Sequence, residues 1–151
     1  MKKVIISASL TGVLANRKQC PYIPYTPEEI AEEGRRAVEA GASILHIHAR
    51  NDDGTPAYDV ETYARIMEEV KKRTPDAIIN FSTGAIHITR EERIAHITAL
   101  KPDMAALNMG SMNYGIYSKK AKKFYHDFVF QNSFTDIQFY LEKMNEAGTR
   151  P

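Results

Sequence analysis

Cysteine, net charge and long apolar runs are all scarce in this sequence of 151 residues. The single cysteine, Cys20, excludes an internal disulfide and is typical of a protein in the reducing cytoplasm, where we expect this chain. The net charge of +1 gives no electrostatic attraction to nucleic acid or to an anionic membrane surface, so neither partner is predicted. No stretch approaches the roughly 20 apolar residues that a membrane-spanning helix requires.

The composition that remains is that of an ordinary globular protein, with 43% hydrophobic and 26% charged residues. A chain of this length can bury a sizeable core, and no internal sequence repeat or low-complexity segment divides it. We therefore expect residues 1–151 to form a single domain.

Short apolar runs alternate with amphipathic helical patterns along most of the chain. The apolar runs predict strands over residues 4–8, 43–48, 77–81 and 104–107. Helices with N-capping signals or C-terminal glycines are predicted over residues 26–40, 59–73, 89–100 and 135–147. Each crossover is long enough for the next strand to return parallel. The pattern predicts an α/β fold of the (β/α)8 TIM-barrel type, with this chain covering about the first four β/α units.

The last third of the chain departs from this alternation. Residues 111–127 include four lysines and are predicted to be a polar excursion, followed by a short extended piece at 128–130. A fifth strand is expected where the chain stops, so the N-terminal half of a barrel is predicted. Because proteins seldom leave the two edges of a parallel sheet bare, we expect a longer protein or a homo-oligomer.

The most informative residues are His46 and His48 in the second predicted strand. Alternate side chains of a strand share a face, so both imidazoles point the same way at the end of that strand. Two neutral imidazoles so placed suit Zn²⁺ or a similar ion, and barrel enzymes carry their active sites at this end of the strands. Two hydrogen-bonded histidines without a metal remain the alternative, because two ligands do not make a site.

Polar residues also follow the third and fourth predicted strands. Ser82, Thr83 and Gly84 offer hydroxyls and an approachable backbone that could receive a carboxylate, although a plain turn would use the same residues. Asn108 takes a similar rim position, with a turn asparagine as the alternative. His87 is expected in a surface loop, and His96 on the exterior of the third helix.

Several segments together resemble the β-keto acid cleavage enzymes, a family that includes the 3-keto-5-aminohexanoate cleavage enzyme of lysine fermentation. The similar segments span essentially the whole chain in order, and they are residues 11–12, 23–30, 40–50, 82–84, 101–105 and 107–113. Each segment alone is unspecific, whereas the ordered set is specific.

The resemblance implies a zinc-binding (β/α)8 barrel, commonly tetrameric, that takes acetyl-CoA as co-substrate. Such enzymes exchange the acetyl unit with a β-keto acid and release acetoacetate and a new acyl-CoA. By motif position, His46 and His48 would bind zinc. The substrate-binding residues would be Ser82, Thr83, Gly84 and Asn108, with Ser82 and the Gly84 amide holding the carboxylate of the keto acid.

The chain also departs from the family pattern. The family's third zinc ligand, a glutamate, and its acid–base aspartate and arginine lie on later strands, so no catalytic residue is assigned within this chain. Leu14 stands where members that handle amino-bearing substrates can place a carboxylate, which argues against a cationic substrate. The alternative hypothesis is a catalytically incomplete, metal-binding half-barrel or assembly module. A barrel hydrolase of the amidohydrolase type is disfavoured, since its His-x-His pair ends strand one.

Overall fold

Residues 3–151 form a four-stranded sheet, a separate two-stranded hairpin and four helices. A computed structural model describes residues 3–151, so Met1 and Lys2 of the predicted domain lie outside the described residues. The elements in order are β1 (Ser7–Ser9), α1 (Pro27–Glu39), β2 (Ile44–Ile47), α2 (Val60–Arg73), β3 (Ile78–Phe81), α3 (Arg90–Leu100), β4 (Met104–Ala105), β5 (Met112–Ser118), β6 (Lys123–Phe130) and α4 (Phe134–Ala147).

The main sheet is parallel throughout, and its strands lie in chain order from β1 to β4. A helix follows each of the first three strands, which is the arrangement of β/α units in a barrel. At the chain end, Arg150 forms a parallel bridge to Met104 of β4, in the place where a fifth strand was expected. The predicted α/β class and strand order are therefore confirmed.

The helix starts follow the predicted capping chemistry. Thr26 and Thr89 each form a complete capping box, in which the side chain accepts from the backbone of the third helical residue. Asp59 caps α2 by accepting from the Thr62 amide at 2.8 Å. The fourth helix begins at Phe134, one residue earlier than predicted, with Ser133 as its N-cap.

The hydrophobic core lies between the helices and one face of the sheet. The sheet contributes Leu45, Ile47, Ile79 and Phe81, all fully buried, and the helices contribute Ile30, Ile66, Val70, Ile94 and Ile97. The alternate residues His46 and Asn80 lie on the opposite face, where they are only partly buried. No helix in residues 3–151 is both long and apolar enough to cross a membrane.

The prediction of a polar excursion at residues 111–127 is wrong, because β5 and β6 form an antiparallel hairpin there. The lysines that suggested a loop sit around its turn, where Lys122 adopts a left-handed φ of 51°. Near the end of β6, the half-buried Phe128 and Phe130 lie on either side of the exposed Val129, which is the period of two of a strand. The extended piece predicted at 128–130 is the end of β6.

The first strand is also shorter than predicted. Pairing of β1 covers Ser7–Ser9, whereas Val4 and Ile5 are 78% and 76% exposed. Val4 and Ile5 therefore lie before the ladder, whereas Ile6 extends it by accepting from the Ser43 and Ile44 amides.

His96 was expected on the exterior of the third helix, and that prediction is wrong. Its side chain is 3% exposed and stacks on Tyr63 of α2, with ring centroids 3.9 Å apart. Nε2 donates to the Ser82 carbonyl oxygen at 3.1 Å, and no residue in the described range pairs with Nδ1. Burial lowers the pKa of His96 to about 4, because a proton on Nδ1 would add a charge in a site without an acceptor.

This low pKa predicts a pH-dependent stability. Between pH 6.5 and 4 the unfolded chain binds a proton at His96 that the folded chain does not, so the free energy of unfolding falls as the pH is lowered. In His96→Gln, whose amide can still donate to the Ser82 carbonyl, the fall between about pH 7 and pH 5 should be smaller by about 1–2 kcal/mol. Urea unfolding across this pH range measures it.

The matched control is His87→Gln, which removes an exposed histidine from the loop before α3. A pH profile that flattens equally in both variants would contradict the assignment to His96.

Candidate active site and metal centre

A cavity of about 270 Å³ opens at the carboxyl ends of β2, β3 and β4. Its lining includes five residues that the sequence analysis singled out, namely His46, His48, Ser82, Gly84 and Asn108. These residues come from three successive strand ends, and parallel pairing brings the ends to one edge of the sheet. That edge is where barrel enzymes carry their chemistry.

The imidazole rings of His46 and His48 lie next to each other at the carboxyl end of β2. Their Nε2 atoms are 3.3 Å apart, and the ring planes meet at 79° with centroids 5.1 Å apart. Two imidazole nitrogens bound to one tetrahedral Zn²⁺ at about 2.0–2.1 Å would be separated by about 3.3–3.4 Å. The pair therefore has the spacing of two ligands of one zinc ion.

Asn80 fixes the tautomer of His46. The Nδ1 atom of His46 lies 3.3 Å from Oδ1 of Asn80, its register partner across the β2–β3 ladder. When Nδ1–H donates to this oxygen, the Nε2 lone pair is left free to point into the cavity. Metal-binding histidines commonly carry such a partner on the second ring nitrogen.

Both imidazoles are held in the neutral form that binds metals. Burial lowers the pKa of His46, and it lowers the pKa of His48 to about 4, with His46, Arg50 and His96 adding to the effect on His48. At neutral pH both rings are therefore uncharged, and each has one nitrogen lone pair available to a metal ion without loss of a proton. The donor set thus fits a borderline cation such as Zn²⁺.

Thr11 holds the backbone of His48 just beyond the end of β2. Its hydroxyl donates to the His48 carbonyl at 2.8 Å and accepts from the His48 amide at 2.9 Å. One side chain from the loop after β1 thereby satisfies both backbone groups of a candidate ligand. This contact continues the β1–β2 ladder past the last paired residues.

Arg50 joins the two loops that flank this strand end. The side chain is 2% exposed and donates to the carbonyl oxygens of Gly12 and Gly54, both at 2.9 Å, and of Thr11 at 3.3 Å. Gly54 has a φ of +86°, and a Cβ there would come within 2.4 Å of the Tyr25 ring. The turn that presents its carbonyl to Arg50 therefore requires glycine.

Ser82 and Gly84 form a tight cradle beside His48. The Ser82 hydroxyl accepts from the Gly84 amide at 3.0 Å. A Cβ on Gly84 would lie 3.2 Å from that hydroxyl and 3.4 Å from Cε1 of His48, so a side chain would crowd the cradle. The hydroxyl and the amide are the two donors available to an anionic group at this end of β3.

Thr83 is the one sequence-predicted residue that does not line the cavity. It is 1% exposed, and its hydroxyl donates to the Ala106 carbonyl at 2.6 Å and accepts from Nδ2 of the Asn108 side chain at 3.3 Å. Thr83 therefore connects the end of β3 to the segment after β4. Through this contact it orients Asn108, which does reach the cavity.

The described residues contain no group of three or more His, Cys, Asp or Glu side chains that could hold a metal ion. Within this range the candidate centre offers two imidazole donors, His46 and His48.

Sequence reasoning did not assign roles to Asn80, Thr11 and Arg50. Asn80 had a detectable signal, because it is a polar residue inside an apolar strand. When β2 and β3 pair in parallel with Asn80 opposite His46, the two side chains lie on the same face of the sheet. The roles of Thr11 and Arg50 depend on loop paths that no spacing rule fixes.

Comparison with known proteins gives one consistent result. The sequence model of the beta-keto acid cleavage enzyme family matches residues 3–151. The 3-keto-5-aminohexanoate cleavage enzyme of Fusobacterium nucleatum subsp. nucleatum is 39% identical over 152 residues, covering 100% of this chain and 52% of that protein. The 3,5-dioxohexanoate:acetyl-CoA acetone transferase of Paraburkholderia graminis is 36% identical over 164 residues, covering 99% and 53%. The chain spans about half the length of the curated relatives it matches.

Among solved structures, a ternary complex of ObcA with a C4-CoA adduct and oxalate aligns with a TM-score of 0.69 and 28% identity. The alignment covers 87% of this chain and 30% of the ObcA chain. Together with the parallel sheet in chain order, this likeness confirms the predicted α/β fold of the TIM-barrel type. Because the family match extends over residues 3–151, this chain belongs to the β-keto acid cleavage enzyme family.

Proposed function

We propose that this chain takes part in the zinc-dependent cleavage of a β-keto acid with acetyl-CoA, giving acetoacetate and a new acyl-CoA. The observation that carries the proposal is the 3.3 Å separation of the His46 and His48 Nε2 atoms at the end of a barrel strand. Family membership and the acetyl-CoA in the name of the Paraburkholderia relative support the reaction class.

Each residue has a proposed task in this reaction. His46 and His48 hold zinc through their Nε2 atoms, and bound zinc would act as a Lewis acid toward the β-keto oxygen. The Ser82 hydroxyl and the Gly84 amide exchange their mutual hydrogen bond for two bonds to the substrate carboxylate. The Asn108 side-chain amide donates to the Thr83 hydroxyl, lines the same pocket and restricts the orientation of the keto acid.

The proposal includes an arrangement in which the site is completed from outside the described residues. We infer that residues 1–151 form a single domain equivalent to the N-terminal half of a barrel. The third zinc ligand and the general base would then come from later strands of the same fold. The relatives, which are about twice as long as this chain, support this division.

We further infer a homo-oligomer in the cytoplasm. In the described sheet β1 pairs only with β2, so one edge of the sheet has free backbone groups. Such edges are usually covered by another strand or subunit. The single cysteine is compatible with the reducing cytoplasm.

A metal-binding half-barrel or assembly module without turnover is the second candidate function. The observation that favours it is the absence, within residues 3–151, of a third acidic, histidine or cysteine ligand near the pair. Both candidates require the histidine pair to bind zinc, and they differ in whether the chain supports catalysis.

Zinc binding is the first test. His46→Ala should remove the metal, because one remaining imidazole cannot hold it, whereas Asn80→Ala should weaken zinc affinity by about 10–100-fold through loss of the Nδ1 partner. Competition with a chromophoric chelator gives the affinities, and elemental analysis gives the zinc content of each chain. The control is His87→Ala in the exposed loop, and unchanged zinc affinity in His46→Ala would contradict the assignment.

Turnover is the second test. With zinc, acetyl-CoA and a β-keto acid, residues 1–151 alone should form no acetoacetate, because the general base is missing. The chain extended by the later strands should form acetoacetate at a rate that His48→Ala reduces by at least about 100-fold, since loss of the metal removes its Lewis acid. Enzymatic assay of acetoacetate measures it. Zinc binding without acetoacetate from the extended chain would favour the second candidate. Acetoacetate from residues 1–151 alone would contradict completion of the site by later strands, and undiminished turnover in His48→Ala of the extended chain would refute the proposed site.

A further inference from the structure

The β5–β6 hairpin supplies one wall of the candidate active site. Tyr114 of β5 and Phe128 and Phe130 of β6 line the cavity, although no role was predicted for this segment. Phe128 and Phe130 alternate with Val129, which is 53% exposed and lies on the other face of the ribbon. The hairpin therefore turns one aromatic face toward the histidines.

The three aromatic rings form a continuous surface. Tyr114 and Phe128 are register partners, and their rings stack at 19° with centroids 5.6 Å apart. Tyr114 and Phe130 pack edge to face, with centroids 6.1 Å apart. Such contacts hold the rings of adjacent strands together, so the wall has a defined shape before any substrate binds.

Arg93 fixes this wall relative to the catalytic edge. Its side chain is 6% exposed and donates to the Gln131 carbonyl at 3.3 Å, to Oδ1 of Asn132 at 2.7 Å and to the Thr83 carbonyl. The guanidinium also lies 5.0 Å from the centroid of the Phe130 ring. One buried cation thus joins the end of the hairpin to the loop that carries the Ser82 cradle.

Asn132 joins the two strands of the hairpin at this same end. Its side-chain amide donates to the Gly110 carbonyl at 3.1 Å, and its backbone amide donates to the Ser111 hydroxyl at 2.9 Å. The segment that leaves the hairpin is thereby bonded to the segment that enters it, so the aromatic face is held against the cavity.

The cavity has a polar side at the strand ends and a largely apolar side that includes the hairpin aromatics, Val13, Leu14 and Ile86. Tyr58 and Tyr114 add uncharged phenol groups to the lining. In the described part of the chain no Asp, Glu, Lys or Arg lines the cavity. A charged substituent placed against the apolar side would lose its hydration without gaining a counter-charge, which is costly.

The volume of the cavity indicates which ligand contacts the aromatic face of the hairpin. At about 270 Å³ it lies near the lower end of the range of about 300–1,000 Å³ for small-molecule pockets. That volume suits a short keto acid and not a whole coenzyme A molecule. The substrate side chain, directed away from the polar edge, is the part that reaches the aromatic rings.

We propose that the aromatic face of the hairpin, formed by Tyr114, Phe128 and Phe130, selects β-keto acids whose side chain is uncharged and apolar. This specificity role rests on the proposed function, because it assumes that the carboxylate and the keto group occupy the polar edge. The side chain then packs on the rings, and an ammonium or carboxylate at its end is rejected.

Binding of stable 3-hydroxy analogues tests the proposal without turnover. Titration calorimetry of the zinc-loaded chain would compare 3-hydroxybutyrate, 3-hydroxyhexanoate and 3-hydroxyadipate, which share a polar end and differ in the side chain. The chain should bind 3-hydroxyhexanoate at least about tenfold more tightly than 3-hydroxyadipate. Phe128→Ala should reduce that preference by about tenfold.

A matched pair of charge variants tests the ligand preference itself, because an unfolded variant would lose binding of all three acids and would not reverse the preference. Phe128→Lys places an ammonium group on the wall and should shift the preference toward 3-hydroxyadipate by at least about tenfold. Val129→Lys adds the same charge one residue along, on the exposed face, and should keep the original preference.

Two results would overturn the inference while leaving the proposed function standing. One is that 3-hydroxybutyrate binds but the two longer acids bind equally well. The other is that both lysine variants change the preference to the same extent. If none of the three acids binds the zinc-loaded chain, the proposed function fails and this inference fails with it.

Discussion

His46 lies opposite Asn80 because β2 and β3 pair in parallel with that register, and the polar contacts of the site follow from this pairing. The same register buries Leu45 and Ile79 between the sheet and the helices. A slip of one residue would exchange the two faces of a strand, which would move an imidazole into the core and leave isoleucine at the cavity. The energy that fixes the histidines is therefore largely the energy of the core behind them. Burial at this edge also keeps both imidazoles neutral, as metal binding requires.

Two buried arginines give the rim of the sheet its shape. Arg50 joins the loops after β1 and β2, and Arg93 joins the loop after β3 to the end of the hairpin. Both donate to carbonyl or amide oxygens, so each satisfies several loop groups that would otherwise lack partners. Their planar, multiply donating heads suit this task better than lysine would. Loops at an active-site rim are usually mobile, and these contacts hold them in one arrangement around the cavity.

The strands, helices and candidate ligands were largely predictable, whereas the hairpin and His96 were not. Capping residues such as Thr26 and Thr89 act within one turn, so their sequence signal is local and the structure reproduces it. In the hairpin, the lysines around the turn favoured a polar loop, although Phe128 and Phe130 nearby alternate with an exposed residue as in a strand. The position of His96 depends on how α3 rotates against Tyr63 of α2. The helical periodicity of α3 alone does not show whether a polar side chain faces solvent or stacks on a neighbouring ring.

The sequence by itself determined the order of β/α units, the pairing of His46 with His48 on one face of a strand, and the family to which the chain belongs. These features depend on periodicity and short motifs, which are properties of neighbouring residues. Only the tertiary structure decided that Asn80 orients His46, that Thr83 supports Asn108 and does not line the cavity, and that the hairpin brings Tyr114 and Phe128 to the site. Those contacts join residues far apart in the chain, and their geometry is set by the packing of whole elements.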